Sequence, residues 1–460
     1  MLAGGMSEES TASFTSFRDD ARLAVACLVL GIECGSPQVT FPTLGLHDLT
    51  EVRLGRGART TTSREGSRLV VQIRDSRMSS QHTLIQLVAG AWNLSDEGSK
   101  NGSFVNGRRV ASCALSDGDV VELGSTFFVF KEQFPTDSLY EDLVGDGAPA
   151  TYSADLRETY RELKGVARVD LPVLVCGETG TGKELTARLL HRWSARPGDF
   201  CAVNCAAIPL ALAESTLFGH KKGSFSGAVS DSPGLLRAAH RGTLFLDEIA
   251  ELDGSLQPKL LRALQEREVT PVGETQPVAV DFRLVAATHE NLDELTANDR
   301  FRADLLARID GHRVTLPPLR YRLEDLGLLI QALSRAAPGQ AAAQFILERG
   351  ATRALYAYSW PRNIRELGHT LERGRALAQA RELELSDLPN AIRSASFEST
   401  SVTRPPGGAE DEALKSQLVS SLTKHHGNVS VVAREFGKAR VQIRRWCKRY
   451  GLNPEAFRVA

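Results

Sequence analysis

The sequence predicts a multidomain chain: a small all-β domain first, a parallel α/β domain in the middle, and a short all-α unit at the end. Three changes of texture predict it. From about residue 20 to 133, short apolar runs such as Leu69–Ile73, Leu84–Val88 and Phe127–Phe130 are separated by Gly, Asn, Asp and Ser, the pattern of strands joined by turns. From about 150 to 392, short apolar strands alternate with longer helical periods, which implies a parallel sheet with crossover helices. After a Ser/Thr/Pro/Gly-rich stretch from Ser394 to Glu410, read as a flexible linker, a basic segment has helical spacing. The divisions are a flexible N-terminus (1–19), the all-β domain (20–135), a linker (136–150), the α/β unit (151–392), a second linker (393–410) and the helical unit (411–460).

A length of 460 residues fits three or so domains. Composition is that of ordinary globular protein, 42% hydrophobic and 24% charged with 6% aromatic. A net charge of −1 argues against global attraction to polyanions, although a local basic patch is enough to bind phosphate. Seven cysteines lack metal-ligand spacing, and Cys201 and Cys205 have no CxxC partner, so reduced thiols of a cytosolic protein are expected. The apolar run Leu23–Ile32 is half the length of a membrane span and reads as a buried strand. The preceding Glu8, Glu9, Asp19 and Asp20 do not suit a secretory leader. A cytoplasmic location and no membrane partner are expected.

The middle unit carries the clearest chemistry. An apolar strand, Leu171–Val175, runs into Gly177-Glu178-Thr179-Gly180-Thr181-Gly182-Lys183 and then a helical pattern, the order that a phosphate-binding loop requires. The glycines let backbone N–H groups wrap phosphates, Lys183 adds charge on the β/γ oxygens, and the helix start adds its dipole. ATP with Mg2+ is the expected ligand. Glu184 stands where phosphate loops usually place a hydroxyl that holds magnesium. Downstream, Leu244-Phe245-Leu246 delivers Asp247 and Glu248, suited to metal binding through ATP and to water activation respectively. The strand Phe282–Ala287 ends at Thr288-His289, where a polar group would sense the γ-phosphate.

These motifs, in this order, resemble the AAA+ domain of bacterial enhancer-binding proteins, the activators of sigma-54 RNA polymerase, over roughly Tyr152 to Ile392. The resemblance implies an α/β AAA+ ATPase with a helical lid. Glu184 is normal in that family, and Asn204 matches the asparagine that restrains the catalytic glutamate. Gly223-Ser224-Phe225-Ser226-Gly227-Ala228 is similar to the loop that touches sigma-54, with Ser224 and Ser226 replacing Ala and Thr. Arg302 and Arg308 match the arginine-finger segment, which implies catalysis between subunits of a hexameric ring. Arg365, in Trp360-Pro361-Arg362-Asn363-Ile364-Arg365, matches the lid's nucleotide sensor, and Arg362 replaces the usual glycine.

Between Lys424 and Arg449 there are eight Lys/Arg and one acidic residue, Glu435. A short helix Val429–Phe436, a turn at Gly437 and a second helix with Ile443, Trp446, Cys447 and Tyr450 on one face suit a helix-turn-helix. Gln442, Arg445 and Arg449 share another face, and Arg440, Arg444 and Lys448 a third. The segment is similar to the Fis-type domain, which implies double-stranded DNA as partner and binding as a dimer.

At the other end, Gly55-Arg56, Ser79-Ser80-Gln81-His82 and Asp96–Gly107 resemble a forkhead-associated (FHA) domain, a β-sandwich whose loops hold phosphothreonine. Arg56 would pair with the phosphate, Ser79 would donate a hydroxyl, and Asn101 would fix the bound peptide, while His82 braces the loops. Ser80 replaces a frequent arginine. The combined resemblance implies an ATP-dependent activator of transcription, governed by a phosphothreonine protein or Ser/Thr kinase pathway. The other reading is a DNA-binding repressor or scaffold whose ATPase serves assembly only. The Gly223–Ala228 loop discriminates the two, because only an activator needs it.

Overall fold

Alternating strands form the first unit. In Glu51–Arg56, Val52 and Leu54 are buried while Arg56 is exposed, the period of a sheet with one face on a core. The computed structural model describes residues 24–35, 43–135, 144–336, 346–378, 382–397, 409–436, 443, 446–447, 450, 452 and 454–457. Two six-stranded sheets face each other. One runs in the order Leu44–Gly45, Ala24–Glu33, Thr126–Pro135, Val120–Leu123, Ser103–Val105, Arg108–Val110. The other runs Ser112–Ala114, Ala91–Asp96, Thr83–Val88, Glu51–Arg56, Arg68–Ile73, Thr61–Glu65. Leu28, Leu54, Ile73, Ile85, Leu94, Val121, Phe128 and Phe130 fill the space between them. The expected runs Leu69–Ile73, Leu84–Val88 and Phe127–Phe130 all lie within strands.

The middle unit is a five-stranded parallel sheet in the order Phe200–Asn204, Thr243–Asp247, Arg283–Thr288, Val173–Cys176, His312–Thr315. The strand before the phosphate loop starts two residues later than the apolar run suggests, because Leu171 and Pro172 precede the paired segment. Helices cover the sheet, and Leu326–Ala336, Arg349–Ala357 and Asn363–Ala378 form the helical lid.

The unbroken apolar run Phe127–Phe130 has a physical reason: both faces of its strand are covered. Phe128 and Phe130 point into the sandwich, whereas Phe127 and Val129, with Ile32, Cys34 and Val120, join a core shared with the lid residues Leu326, Ile330, Leu347, Leu355, Tyr356 and Trp360. Phe127 stacks on Tyr356 with ring centroids 5.6 Å apart. Gly31 and Gly327 allow backbone contact here, since a Cβ on Gly327 would sit 1.8 Å from the Gly31 carbonyl oxygen. Glu122, 2% exposed, crosses the same seam to Arg353 at 2.7 Å and Arg349 at 3.2 Å, and both guanidinium groups lie over the Phe104 ring. A buried carboxylate is tolerable only when paired this well.

Glu324 sits at the same seam, 3.8 Å from Lys131. Burial, only partly offset by Lys131, pushes its carboxyl up to about 7. Folding therefore retains a proton that the unfolded chain loses near the ordinary value of about 4.3. Stability falls as pH rises from that value through about 7, because the unfolded state binds fewer protons in this window. Glu324→Gln is expected to raise the melting temperature near pH 8 and to change it little near pH 5, checked by thermal melts at both.

The linkers are shorter than composition suggests. Asp146 accepts from the Trp193 indole through its carbonyl, and Ala148 is buried. Ser394–Phe397 follows the lid in an ordered path, because Phe397 packs on the core that lid and sandwich share and lies against Gly107 of the sandwich, where a Cβ would be 2.8 Å from its ring. The helix Ala409–Lys424, unforeseen in the sequence, supplies Leu418 and Leu422 to a small core with Val432, Ala433, Ile443 and Cys447. Val429–Glu435 is the expected first short helix. Ile443, Trp446 and Cys447 are helical, with Trp446 against Phe436 at 5.7 Å. Among the described residues no helix is long and apolar enough to cross a membrane.

Candidate functional site

The phosphate loop leaves the sheet at Cys176 and enters the helix Lys183–Ser194 at its N-terminus. Two of its glycines adopt backbone closed to most side chains, Gly180 at φ +80° and Gly182, the helix N-cap, at φ +108°. Lys183 is buried and reaches the Gly177 carbonyl at 2.9 Å and Glu248 Oε1 at 3.3 Å. The buried strand Thr243–Asp247 thus delivers its acidic end against the loop. Glu248 itself lies in the left-handed region at φ +50°, a strained position of the sort that functional sites retain.

The electrostatics of the two carboxylates differ. Burial and then the neighbouring Glu248 charge raise Asp247 from the ordinary aspartate value. Burial also raises Glu248, but a hydrogen bond with His289 and the charge of Lys183 outweigh it and lower the group. Glu248 is therefore ionised at neutral pH. Its Oε2 meets His289 Nδ1 at 2.7 Å and the His289 amide at 3.3 Å. Thr288 is fully buried, its hydroxyl accepting from Glu290 N at 3.0 Å and its carbonyl taking Gly177 N at 3.1 Å.

Several expected residues sit otherwise. Asn204 does not hold Glu248 in this structure; its Oδ1 caps the turn Cys205–Ala207 through Ala206 N at 2.9 Å, and His289 holds the glutamate instead. Glu184 is turned outward and pairs with Arg188 at 2.7 Å, one helical turn on, so its side chain serves the helix surface. Glu178 is gripped by the lid arginine Arg320 at 2.5 Å. Arg302 is exposed and paired with Asp304 at 2.7 Å, and Arg308 is exposed and donates to the Leu264 carbonyl at 2.8 Å. Arg365 is exposed, next to Ile364, whose amide donates to Gly180 O at 3.0 Å. The glycine missing at Arg362 is not needed, because the left-handed residues of this turn are Trp360 and Asn363. Arg320, Arg322 and Asn363 received no role from the sequence, and His289 only that of a polar group at a strand end; nearness to recognised motifs was the one signal that could have flagged them.

The Gly223–Ala228 segment closes on itself through Gly223 N to Ala228 O at 2.8 Å. Phe225 is half-buried, its ring 5.0 Å from the His220 ring, rather than fully presented to solvent. Ala228 is buried, Ser224 half-buried, and Ser226 and Gly227 exposed; the apolar side chain most open here is Val229, 82% exposed.

At one end of the sandwich, Arg56 N bonds Ser79 O at 2.8 Å, Ser79 Oγ accepts from Lys100 N at 3.0 Å, and Asn101 Nδ2 donates to Arg77 O at 2.5 Å. Arg56 and Ser80 are exposed. His82 is fully buried; its Nδ1 accepts from Ser79 N at 3.0 Å, so Nε2 carries the proton toward Gly102 O at 3.2 Å. Burial lowers its pKa, and the neutral ring ties two loops together. Arg440, Gln442, Arg444, Arg445, Lys448 and Arg449 lie outside the described residues.

A parallel sheet, a phosphate loop, an acidic strand end and a helical lid define an AAA+ ATPase domain, here preceded by a β-sandwich. Residues 150–315 match the sigma-54 interaction domain, 320–405 the AAA+ ATPase lid domain and 52–124 the FHA domain. Response regulator protein PilR of Pseudomonas aeruginosa is 37% identical over 329 residues, covering 70% of this chain and 72% of PilR. The acetoin catabolism regulatory protein of Cupriavidus necator is 42% identical over 307 residues, 63% of this chain and 45% of that protein. The crystal structure of NtrX from Brucella abortus in complex with ATP aligns with TM-score 0.50 and 29% identity, covering 68% of this chain and 73% of that one. The chain belongs to the family of sigma-54-dependent transcription regulators, with an FHA domain at the front. It spans about half the length of the acetoin regulator and 62% of the hydrogenase regulator HoxA of Cupriavidus necator.

Proposed function

We propose that this protein is an ATP-hydrolysing activator of transcription by sigma-54 RNA polymerase, bound to upstream DNA and governed by a phosphothreonine ligand. The observation that carries the ATPase is the contact of Lys183 with Glu248, which brings a phosphate-binding cation and an ionised base to one edge of the sheet. ATP would lie on the Gly177–Lys183 loop. Asp247 would hold Mg2+ together with the phosphates. Glu248 would orient and deprotonate the attacking water, and Arg302 or Arg308 of a neighbouring subunit would stabilise the transferring phosphoryl group in a hexameric ring. Thr288 and Arg365 would report the nucleotide's state.

Coupling to polymerase would run through Gly223–Ala228. The half-buried Phe225 is what a scaffold or repressor that never uses the loop would also have, so the two readings part on one variant. Phe225→Ala is expected to keep ATP turnover and lose sigma-54 open-complex formation. Retention of both activities would favour the assembly-only reading. DNA binding is proposed for the C-terminal unit from its basic segment, and a dimer on paired half-sites fits its size.

For the sandwich, the exposed Arg56 and the loops tied by His82 support phosphothreonine binding. Arg56→Ala is expected to remove binding of a phosphothreonine peptide to the full chain without changing basal ATPase. Equal titration curves for the two proteins would show that the sandwich serves assembly instead.

A further inference from the structure

The backbone carbonyls of a phosphate loop must turn outward if its N–H groups are to face phosphate, and buried carbonyls need partners there. In this chain the first two are satisfied within the loop: Gly177 O accepts from Lys183 at 2.9 Å, and Glu178 O from the Thr181 hydroxyl at 2.8 Å. Gly182 O accepts from Thr186 in the following helix. The middle three belong to the lid. Thr179 O accepts from Asn363 Nδ2 at 3.1 Å, Gly180 O from Ile364 N at 3.0 Å, and Thr181 O from Arg322 Nη2 at 3.1 Å.

The loop's one acidic side chain is held from the same side. Arg320 forks onto Glu178, Nη1 to Oε2 at 2.8 Å and Nη2 to Oε1 at 2.5 Å, and Asn363 adds 3.2 Å to Oε2. Asn363 is fully buried at φ +54°, and its Oδ1 accepts from Leu319 N at 2.7 Å, so it is a fixed strut between two lid segments and the loop. Gly180 shows how close the lid comes: a Cβ there would lie 2.3 Å from the Arg362 carbonyl oxygen.

We propose that Arg320, Arg322 and Asn363 are positioning residues that preset the phosphate loop, and that Glu178 is their anchor on the loop rather than a contact to nucleotide. The inference rests on the reading of this loop as the ATP site. Its consequence is that the lid shapes the phosphate cradle directly, apart from any lid residue that touches the nucleotide.

The test is a double-mutant cycle on the full chain with a fluorescent, slowly hydrolysed ATP analogue. Arg320→Ala and Glu178→Ala are each expected to weaken analogue binding by about ten- to a hundredfold, the range for losing a charge-assisted hydrogen bond. The double variant is expected to be no weaker than either single one, since both act through one contact. In steady state the KM for ATP should rise with little change in kcat. Arg320→Lys, which keeps the charge but not the two-point fork and stands in if the alanine variant fails to fold, should recover part of the affinity. Additive losses would mean that Glu178 or Arg320 meets the nucleotide on its own, and unchanged affinity would remove the positioning role. If the parent chain itself fails to bind the analogue, the ATP-site reading falls first.

Discussion

Replacing Glu248 by glutamine is expected to lower ATP turnover by about 10²–10⁴-fold, the usual worth of a positioned proton acceptor, while nucleotide binding survives. The amide keeps the shape of the carboxylate, so the turn at φ +50° is kept and the strand Thr243–Asp247 need not shift. What disappears is the negative charge that now sits 3.3 Å from Lys183 and 2.7 Å from His289. Lys183 is then without its carboxylate partner, which favours an incoming triphosphate. Tighter binding of an ATP analogue together with lost turnover is therefore the expected pair of results, read by fluorescence titration and phosphate release. Turnover within a few-fold of the parent chain would move the base elsewhere.

The second large effect is structural. Phe127→Ala should destabilise the chain by about 3–5 kcal/mol, as deletion of a buried phenylalanine typically does. Phe127 is fully buried and stacked on Tyr356, also buried, at the seam where the sandwich strands meet the lid. The loss should be shared: the sandwich and the lid should unfold together in a denaturant titration, with an earlier midpoint for both. Destabilisation of the sandwich alone, with the lid transition unmoved, would mean that the shared core contributes little.

Fold class was readable wherever one element meets one core. The short apolar runs Leu69–Ile73 and Leu84–Val88 and the strand–loop–helix order around Gly177 each specify a local structure by pattern alone, and all were found as expected. The run Phe127–Phe130 disclosed a strand but not that it is buried on both faces, because which surface covers the second face depends on residues about 200 positions away. The same limit explains the site. Lys183 and Glu248 belong to motifs whose residue types announce phosphate chemistry. His289, Arg320 and Asn363 are ordinary polar residues, and what they hold is decided by tertiary placement. Asn204 and Glu184 show the converse, since a family pattern suggested roles while local geometry gives one a capping bond and the other a helix-surface ion pair.

The seam that joins Glu122 to Arg349 and Arg353 also has a thermodynamic meaning. One body, the lid, is fastened to the sandwich on one side and to the carbonyls of Thr179, Gly180 and Thr181 on the other. If a ligand on the sandwich alters how that body sits, it alters nucleotide affinity by some factor. Linkage then requires nucleotide to alter that ligand's affinity by the same factor. A sensor coupled to an ATPase in this way is read in both directions: titrating ATP measures the sensor as faithfully as titrating the sensor's ligand measures the ATPase.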